Sequence, residues 1–185
     1  MTAAASDWPP ADEIGEILFS ADEIQRRVTE LGREITEATG GEPLLLVAIL
    51  KGSIPFAADL MRAIEGPVEI DYMAVSSYGD ETKSSGIVRI LKDLDTTVHD
   101  KHVIVVEDII DSGLTMAYLV DHLQKQEPAS LRTVSLLVRE GKTHPDVQVD
   151  HVGFEIPGPA FVIGYGLDLA QRFRNLPYVA YYAKG

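Results

Sequence analysis

The run from Val103 to Val106 constrains the fold more than any other stretch of this chain. Four consecutive β-branched apolar residues offer solvent no polar face, which is the pattern of a strand covered on both sides in a parallel sheet. In such sheets ligands gather just past the carboxyl ends of the strands. There the chain places Glu107, Asp108 and Asp111, then Ser112, Gly113, Leu114 and Thr115, with an apolar helical pattern beginning near Met116. Side chains 107 and 108 of a regular strand point to opposite faces, so both serve one ligand only where the strand ends and turns. Two adjacent carboxylates at a turn can accept hydrogen bonds from vicinal ribose hydroxyls. The loop from Asp111 to Thr115 can turn its N–H groups and two hydroxyls towards a phosphate, helped by the dipole of the following helix. Taken singly these are solvated acids and a Ser-Gly turn. As one string they predict a sugar-phosphate site.

The surrounding pattern predicts the scaffold. Residues 1 to about 12 read as a loose tail. Ser20-Ala21-Asp22-Glu23 fits a capping box ahead of Ile24, Val28, Leu31 and Ile35 at helical spacing, closed by Gly40 and Gly41. Leu44 to Leu50 is a second buried strand, leading into Lys51-Gly52 and a helix from about Pro55 to Ile64. Val68, Ile70 and Tyr72 alternate as in a strand, and the Gly-, Ser- and charge-rich stretch from 76 to 86 is a candidate mobile lid headed by Ser77 and Tyr78. Further strands are expected at Ile87 to Leu91 and Leu131 to Val138, with a helix from Met116 to Gln124. The alternation predicts one α/β domain over residues 1–185, a mainly parallel sheet flanked by helices. The segment from about 155 to 185, rich in proline and aromatics, is expected to form a small hood with the N-terminal segment.

The chain has 185 residues, enough for one domain with a core, and 29 acids against 16 Lys and Arg give it a net charge of −13. Such a surface repels nucleic acid and anionic membranes. It also repels phosphates, so binding one requires positive potential concentrated in backbone N–H groups, a few cations and a divalent metal, for which Mg²⁺ is the physical expectation. With no cysteine, thiolate chemistry and disulfides are excluded, which accords with a cytoplasmic location. No apolar run reaches the length of a membrane span. There is no GxxxxGK[ST] loop, and Gly164-Tyr165-Gly166 lacks the third glycine of a dinucleotide fingerprint.

The string VIVVEDIIDSGLT closely resembles the phosphoribosyl-pyrophosphate motif of the purine phosphoribosyltransferases, in which two acids lead into a loop holding the 5′-phosphate. Asp111 is similar to the acid of family members acting on 6-oxopurines. LKGS resembles the family's pyrophosphate loop, with Lys51 and Gly52 as its contacts and a peptide before the lysine that can be cis. Val152 to Asp168, VGFEIPGPAFVIGYGLD, resembles hypoxanthine-guanine phosphoribosyltransferases specifically. The resemblance implies that Phe161 stacks on the purine, main-chain groups at Val162 read its edge, and Asp168 holds Mg²⁺ with the pyrophosphate. Arg174, in RFRNLPY, matches an arginine that contacts pyrophosphate. Each role suits its residue type: a flat apolar face for a base, a carboxylate for a hard cation, a guanidinium fork for phosphate. One position departs. Where the family has a lysine donating to the purine's 6-oxo group, this chain has Arg139, with Lys142 three residues on.

The implied fold is the type I phosphoribosyltransferase fold. The implied activity is transfer of 5-phosphoribosyl from phosphoribosyl pyrophosphate to hypoxanthine or guanine, with Mg²⁺, releasing pyrophosphate. Glu107 and Asp108 would hold the ribose and, with Asp168, the metal; the 111–115 loop would hold the phosphate, Asp111 would be the general base, and Ser77-Tyr78 would close the lid. The resemblance also implies a homodimer or homotetramer. A xanthine-preferring relative differs only in exocyclic contacts. An RNA-binding regulator on the same fold would need a basic face, and a binding module without turnover would leave the matched catalytic positions without purpose.

Overall fold

The computed structural model describes residues 8–78, 87–141 and 148–184. Twelve elements follow in order: β1 (Ile14–Phe19), α1 (Ala21–Thr39), β2 (Leu44–Leu50), α2 (Ile54–Ala63), β3 (Val68–Tyr78), β4 (Ile87–Lys92), β5 (His102–Ile110), α3 (Leu114–Gln124), β6 (Ser130–Arg139), β7 (His151–Ile156), β8 (Val162–Ile163) and β9 (Val179–Tyr182). Six strands form one sheet in the order β4-β3-β2-β5-β6-β7, parallel throughout except for the antiparallel β3–β4 pair. A second, antiparallel sheet, β1-β9-β8, joins the two ends of the chain as the hood.

The central strands are apolar on both sides because each side has its own core. Leu44, Leu46, Ala48, Ile104 and Val106 pack with α1 and α2, whereas Leu45, Val47, Ile49, Val103 and Val105 pack with Met116, Leu119 and Leu123 of α3. The expected capping box of α1 is present, with Ser20 Oγ accepting from Glu23 N and the Glu23 carboxylate accepting from Ser20 N.

Three boundaries differ from the sequence reading. Strand β5 does not end at Val106: β2 pairs with it only as far as Val106, but β6 continues to Ile110, so Glu107 and Asp108 lie within a strand that has lost one neighbour. Helix α3 starts at Leu114 rather than near Met116, on a Gly113 N-cap with φ 77°. Strand β3 runs on to Tyr78, paired with Ile87, so residues 76–78, expected to open the lid, are strand; residues 79–86, the rest of that expected lid, lie outside the described residues, as do Lys142 and residues 1–7. The described part of the expected tail is docked, since Trp8 stacks on Phe173 at 5.4 Å and Asp12 pairs with Lys184 at 2.6 Å.

Candidate active site

The carboxyl ends of β2, β5 and β6 open on one edge of the sheet, and the loop from 157 to 174 folds over them. At the end of β2 the Leu50–Lys51 peptide bond is cis. The turn brings the Gly52 Cα against the Asp108 carboxylate, so closely that a Cβ there would overlap Asp108 Oδ2. Gly166, with φ 100°, stands likewise over the Gly52 carbonyl. Only glycine permits these approaches, and they lock the Lys51 loop between β5 and the 164–174 segment.

Two cavities adjoin at this edge. A smaller one of about 120 Å³ is lined by Glu107, Asp111, Ser112, Gly113 and Thr115; Leu114 does not face it. It opens onto the start of α3, whose first N–H groups have no partner within the helix. A larger one of about 340 Å³ is lined by Asp108, Asp111, Arg139, Phe161, Val162 and Asp168. Ile109 and Asp111 border both. The adjacent acids thus serve different compartments, Glu107 the smaller and Asp108 the larger, and a ligand must span both to meet both.

These acids are held against their chemistry. Burial pushes the Glu107 carboxyl well above the usual carboxylate range, the Asp108 charge adds to this, and Glu107 Oε2 is buried without a partner among the described residues. Burial likewise raises Asp108 to about 6, opposed by the backbone N–H of Ile109 and the Arg174 charge and reinforced by Asp168. Among the described residues no three His, Cys, Asp or Glu converge as a ligand set. Carboxylates short of cationic partners but too few for a cage fit a Mg²⁺ that keeps most of its shell as water and ligand oxygens. They do not fit a fully protein-held ion.

Lys51 and Arg174 bring positive charge to the same edge. Arg174 donates to the Gly166 carbonyl at 2.7 Å and pairs with Asp168 Oδ1 at 2.6 Å, while its Nε is buried without a partner among the described residues. Asp168 Oδ2 accepts from Gln171 N at 2.8 Å. The Gln171 side-chain oxygen receives both Lys51 Nζ at 3.4 Å and Arg174 Nη2 at 3.3 Å. Sequence reasoning missed Gln171. A glutamine in a loop carries no signal, and its role depends on a left-handed turn, φ 50° at Ala170 and 66° at Gln171, that the residue types do not announce.

Arg139, at the end of β6, is buried and lines the larger cavity, but its guanidinium is engaged with the loop. It donates to the carbonyls of Gly158 and Ala160, and its Nε stands 2.8 Å from Asp111 Oδ1 as an ion pair without hydrogen-bond alignment. Phe161 is 46% exposed at the cavity mouth. Val162 is buried beside it in β8, paired with Tyr181. Of Ser77 and Tyr78 only the backbone is described, in β3.

A family model described as a phosphoribosyl transferase domain matches residues 16–171, most of the chain. The chain belongs to the phosphoribosyltransferases. Among curated members, the hypoxanthine-guanine phosphoribosyltransferase of Bacillus subtilis (strain 168) is 48% identical, covering 90% of this chain and 92% of that protein. The enzyme of the same name from Mycobacterium tuberculosis (strain H37Rv) is 47% identical over 90% of this chain and 85% of that one. A crystal structure of a hypoxanthine-guanine phosphoribosyltransferase from Bacillus anthracis, with a HEPES molecule in its active site, superposes with a TM-score of 0.87 at 44% identity, covering 91% of this chain and 99% of that one. A hypoxanthine phosphoribosyltransferase from Staphylococcus aureus gives 0.88 at 39% identity, covering 92% of each chain. The sheet order and the hood of this phosphoribosyltransferase are those of the type I fold.

Proposed function

We propose that this phosphoribosyltransferase moves the 5-phosphoribosyl group of phosphoribosyl pyrophosphate onto hypoxanthine or guanine, giving IMP or GMP and pyrophosphate. The observation that carries the reading is the pair of adjoining cavities, one phosphate-sized at the start of α3 and one base-sized under Phe161, bordered in common by Asp111. The 5′-phosphate takes the N–H groups and hydroxyls of the 111–115 loop. The ribose lies across β5, between Glu107 and Asp108. The purine enters the larger cavity, stacked on Phe161 with its edge along Val162.

In the transfer, the bond from the anomeric carbon to the pyrophosphate oxygen breaks and a bond from that carbon to the purine nitrogen forms. The transition state is cationic at the anomeric carbon. Asp111 takes the proton of purine N7 as general base. Lys51 and Arg174, with the Gly52 turn, receive the departing pyrophosphate, for which the Gln171 oxygen now holds their place. Mg²⁺, when bound, supplies charge neutralisation for the pyrophosphate; Glu107, Asp108 and Asp168 are the residues that would hold it. Ser77 and Tyr78 head the lid that excludes water from a hydrolysable donor. Arg139 borders the purine site and ties Asp111 to the base loop. No described helix is long and apolar enough to cross a membrane. A cytoplasmic homodimer or homotetramer completes the reading, checked by fractionation and sedimentation.

The test is nucleotide formation from purified protein, phosphoribosyl pyrophosphate and Mg²⁺ with hypoxanthine, guanine, xanthine and adenine offered separately. Turnover is expected with hypoxanthine or guanine and not with adenine. Turnover mainly with xanthine would replace the substrate assignment, and none with any base would overturn the enzymatic reading.

A further inference from the structure

Phe161 is the proposed stacking surface, yet it stands at a loop among Pro157, Gly158 and Pro159 with nearly half its area in solvent. A ring so placed needs backing to present one face. Tyr182 provides it twice: its backbone N donates to the Phe161 carbonyl at 2.9 Å, and its ring meets Phe161 edge-on at 6.4 Å between centroids.

Tyr182 is in turn held by the other end of the chain. Its hydroxyl donates to Glu13 Oε2 at 3.2 Å, and the next backbone N–H, of Ala183, donates to the Glu13 carbonyl at 3.0 Å. Both arms of Arg172 donate to the same carboxylate, at 3.2 and 2.8 Å. Arg172 lies over the Phe173 ring at 4.9 Å, and Trp8 stacks on that ring at 5.4 Å. The hood does not need this knot to close. Its strands are already joined through Ile14↔Tyr182, Ile17↔Ala180 and Phe19↔Val179. What the Glu13 knot adds is a fixed side chain at Tyr182, the residue behind Phe161.

We propose that Glu13 is a positioning residue for the base site: through Tyr182 it sets the Phe161 ring, which makes the Trp8–Glu13 segment part of the purine-binding apparatus. The inference rests on the transferase reading above. Glu13 lines neither of the two cavities, so its loss should act on the base through Tyr182 and not on the sugar pyrophosphate, whose proposed contacts lie on β5, the 111–115 loop, the Lys51 loop and Arg174.

The experiment compares wild type, Glu13→Ala and Tyr182→Phe in steady state, varying hypoxanthine and phosphoribosyl pyrophosphate in turn. Tyr182→Phe keeps the ring and the strand bonds and removes only the hydroxyl, so it is secure against misfolding. Glu13→Ala is expected to raise the KM for hypoxanthine about 5- to 10-fold and Tyr182→Phe about 2- to 5-fold, with the KM for phosphoribosyl pyrophosphate within about twofold. Trp8 is the sole tryptophan, so its emission reports the segment directly; it should shift when wild type binds IMP and stay still in Glu13→Ala. Unchanged KM values in both variants, or a parallel rise for both substrates, would overturn the inference and leave the transferase reading standing. A wild type that turns over no base removes that reading, and this inference with it.

Discussion

Asp108→Asn should make the ligand-free protein more stable at neutral pH and a poorer binder of its substrate. Burial lifts the Asp108 carboxyl from 3.8 to about 6 in the folded protein. Below pH 3.8 the group is protonated in both states and contributes nothing to the difference. Between 3.8 and 6 the unfolded chain has lost the proton while the folded one keeps it, so this group's contribution to stability falls as pH rises, and it levels off above about 6. Roughly 2 pK units at about 1.4 kcal/mol each set a ceiling near 3 kcal/mol, and water at the cavity mouth brings this to about 2 kcal/mol. Asparagine fits the same space, can still accept from Ile109 N, and does not titrate. Glu107 is raised too and responds in the same sense, and since the Asp108 charge adds to its rise, the variant relieves it as well; Asp12, Glu13 and Asp71, being lowered, respond in the opposite sense and alike in both proteins. The quantity to read is therefore the difference between variant and wild type, from thermal and urea unfolding at pH 4 to 8. It should start near zero and reach about 2 kcal/mol, equivalent to roughly 4–8 °C in Tm for a chain of this size. A difference that stays flat with pH would refute the account of Asp108 as a carboxylate held against its desolvation. In the same variant the proposed ribose site loses a charged acceptor worth about 1.5–3 kcal/mol, so the KM for phosphoribosyl pyrophosphate should rise about tenfold or more.

Asp111→Asn keeps the shape of the proposed base and removes its basicity; kcat should fall about 10²- to 10⁴-fold with phosphoribosyl-pyrophosphate binding retained, and near-normal turnover would take Asp111 out of that role. Phe161→Ala should weaken base binding by about 1–3 kcal/mol, read as the KM for hypoxanthine, whereas an unchanged KM would make the ring a bystander. Gly52→Ala would drive a methyl group into the Asp108 carboxylate, costing about 1–3 kcal/mol of stability and displacing the Lys51 loop. Its signature is a lower Tm together with a raised KM for phosphoribosyl pyrophosphate, and a normal Tm would mean that the loop yields freely.

How much of this was legible depended on the range of the information. The alternation of Val103, Ile104, Val105 and Val106 between two cores, and the capping box at Ser20, are local facts and were readable as such. The end of β5 was misread because strand length is set by the neighbour: β6 goes on pairing to Ile110 after β2 has stopped. The start of α3 moved to Leu114 because Gly113 supplies the cap by its backbone, with no side-chain signature. The resemblance, and not the residue type, pointed to Phe161 as a surface for a base, and its ring is one of the exposed ones among the described residues. Gln171 and Glu13 were invisible. Each acts by joining segments far apart in sequence, and neither residue type distinguishes that from ordinary solvation.

The acidic balance of the chain then acquires a local meaning. At the site edge every cation with a resolved partner is already answered from within: Arg174 by Asp168, and Lys51 and Arg174 together by the Gln171 oxygen. Glu107 and Asp108 behind them are answered less fully: Glu107 Oε2 is buried without a partner among the described residues, Asp108 has the Ile109 N–H and the Arg174 charge set against a larger burial, and both are pushed towards the protonated form. A bare pyrophosphate entering here would add negative charge beside Asp108, which is ionised above about pH 6, and beside Glu107, whose burial disfavours its charge. A divalent cation bound with the anion would favour the charged form of both carboxyls, because its opposite charge would offset the desolvation that raised them. On the proposed reading, the acids of β5 would favour a metal-bearing sugar pyrophosphate over a free anion, and their destabilising burial would be the condition for that selectivity.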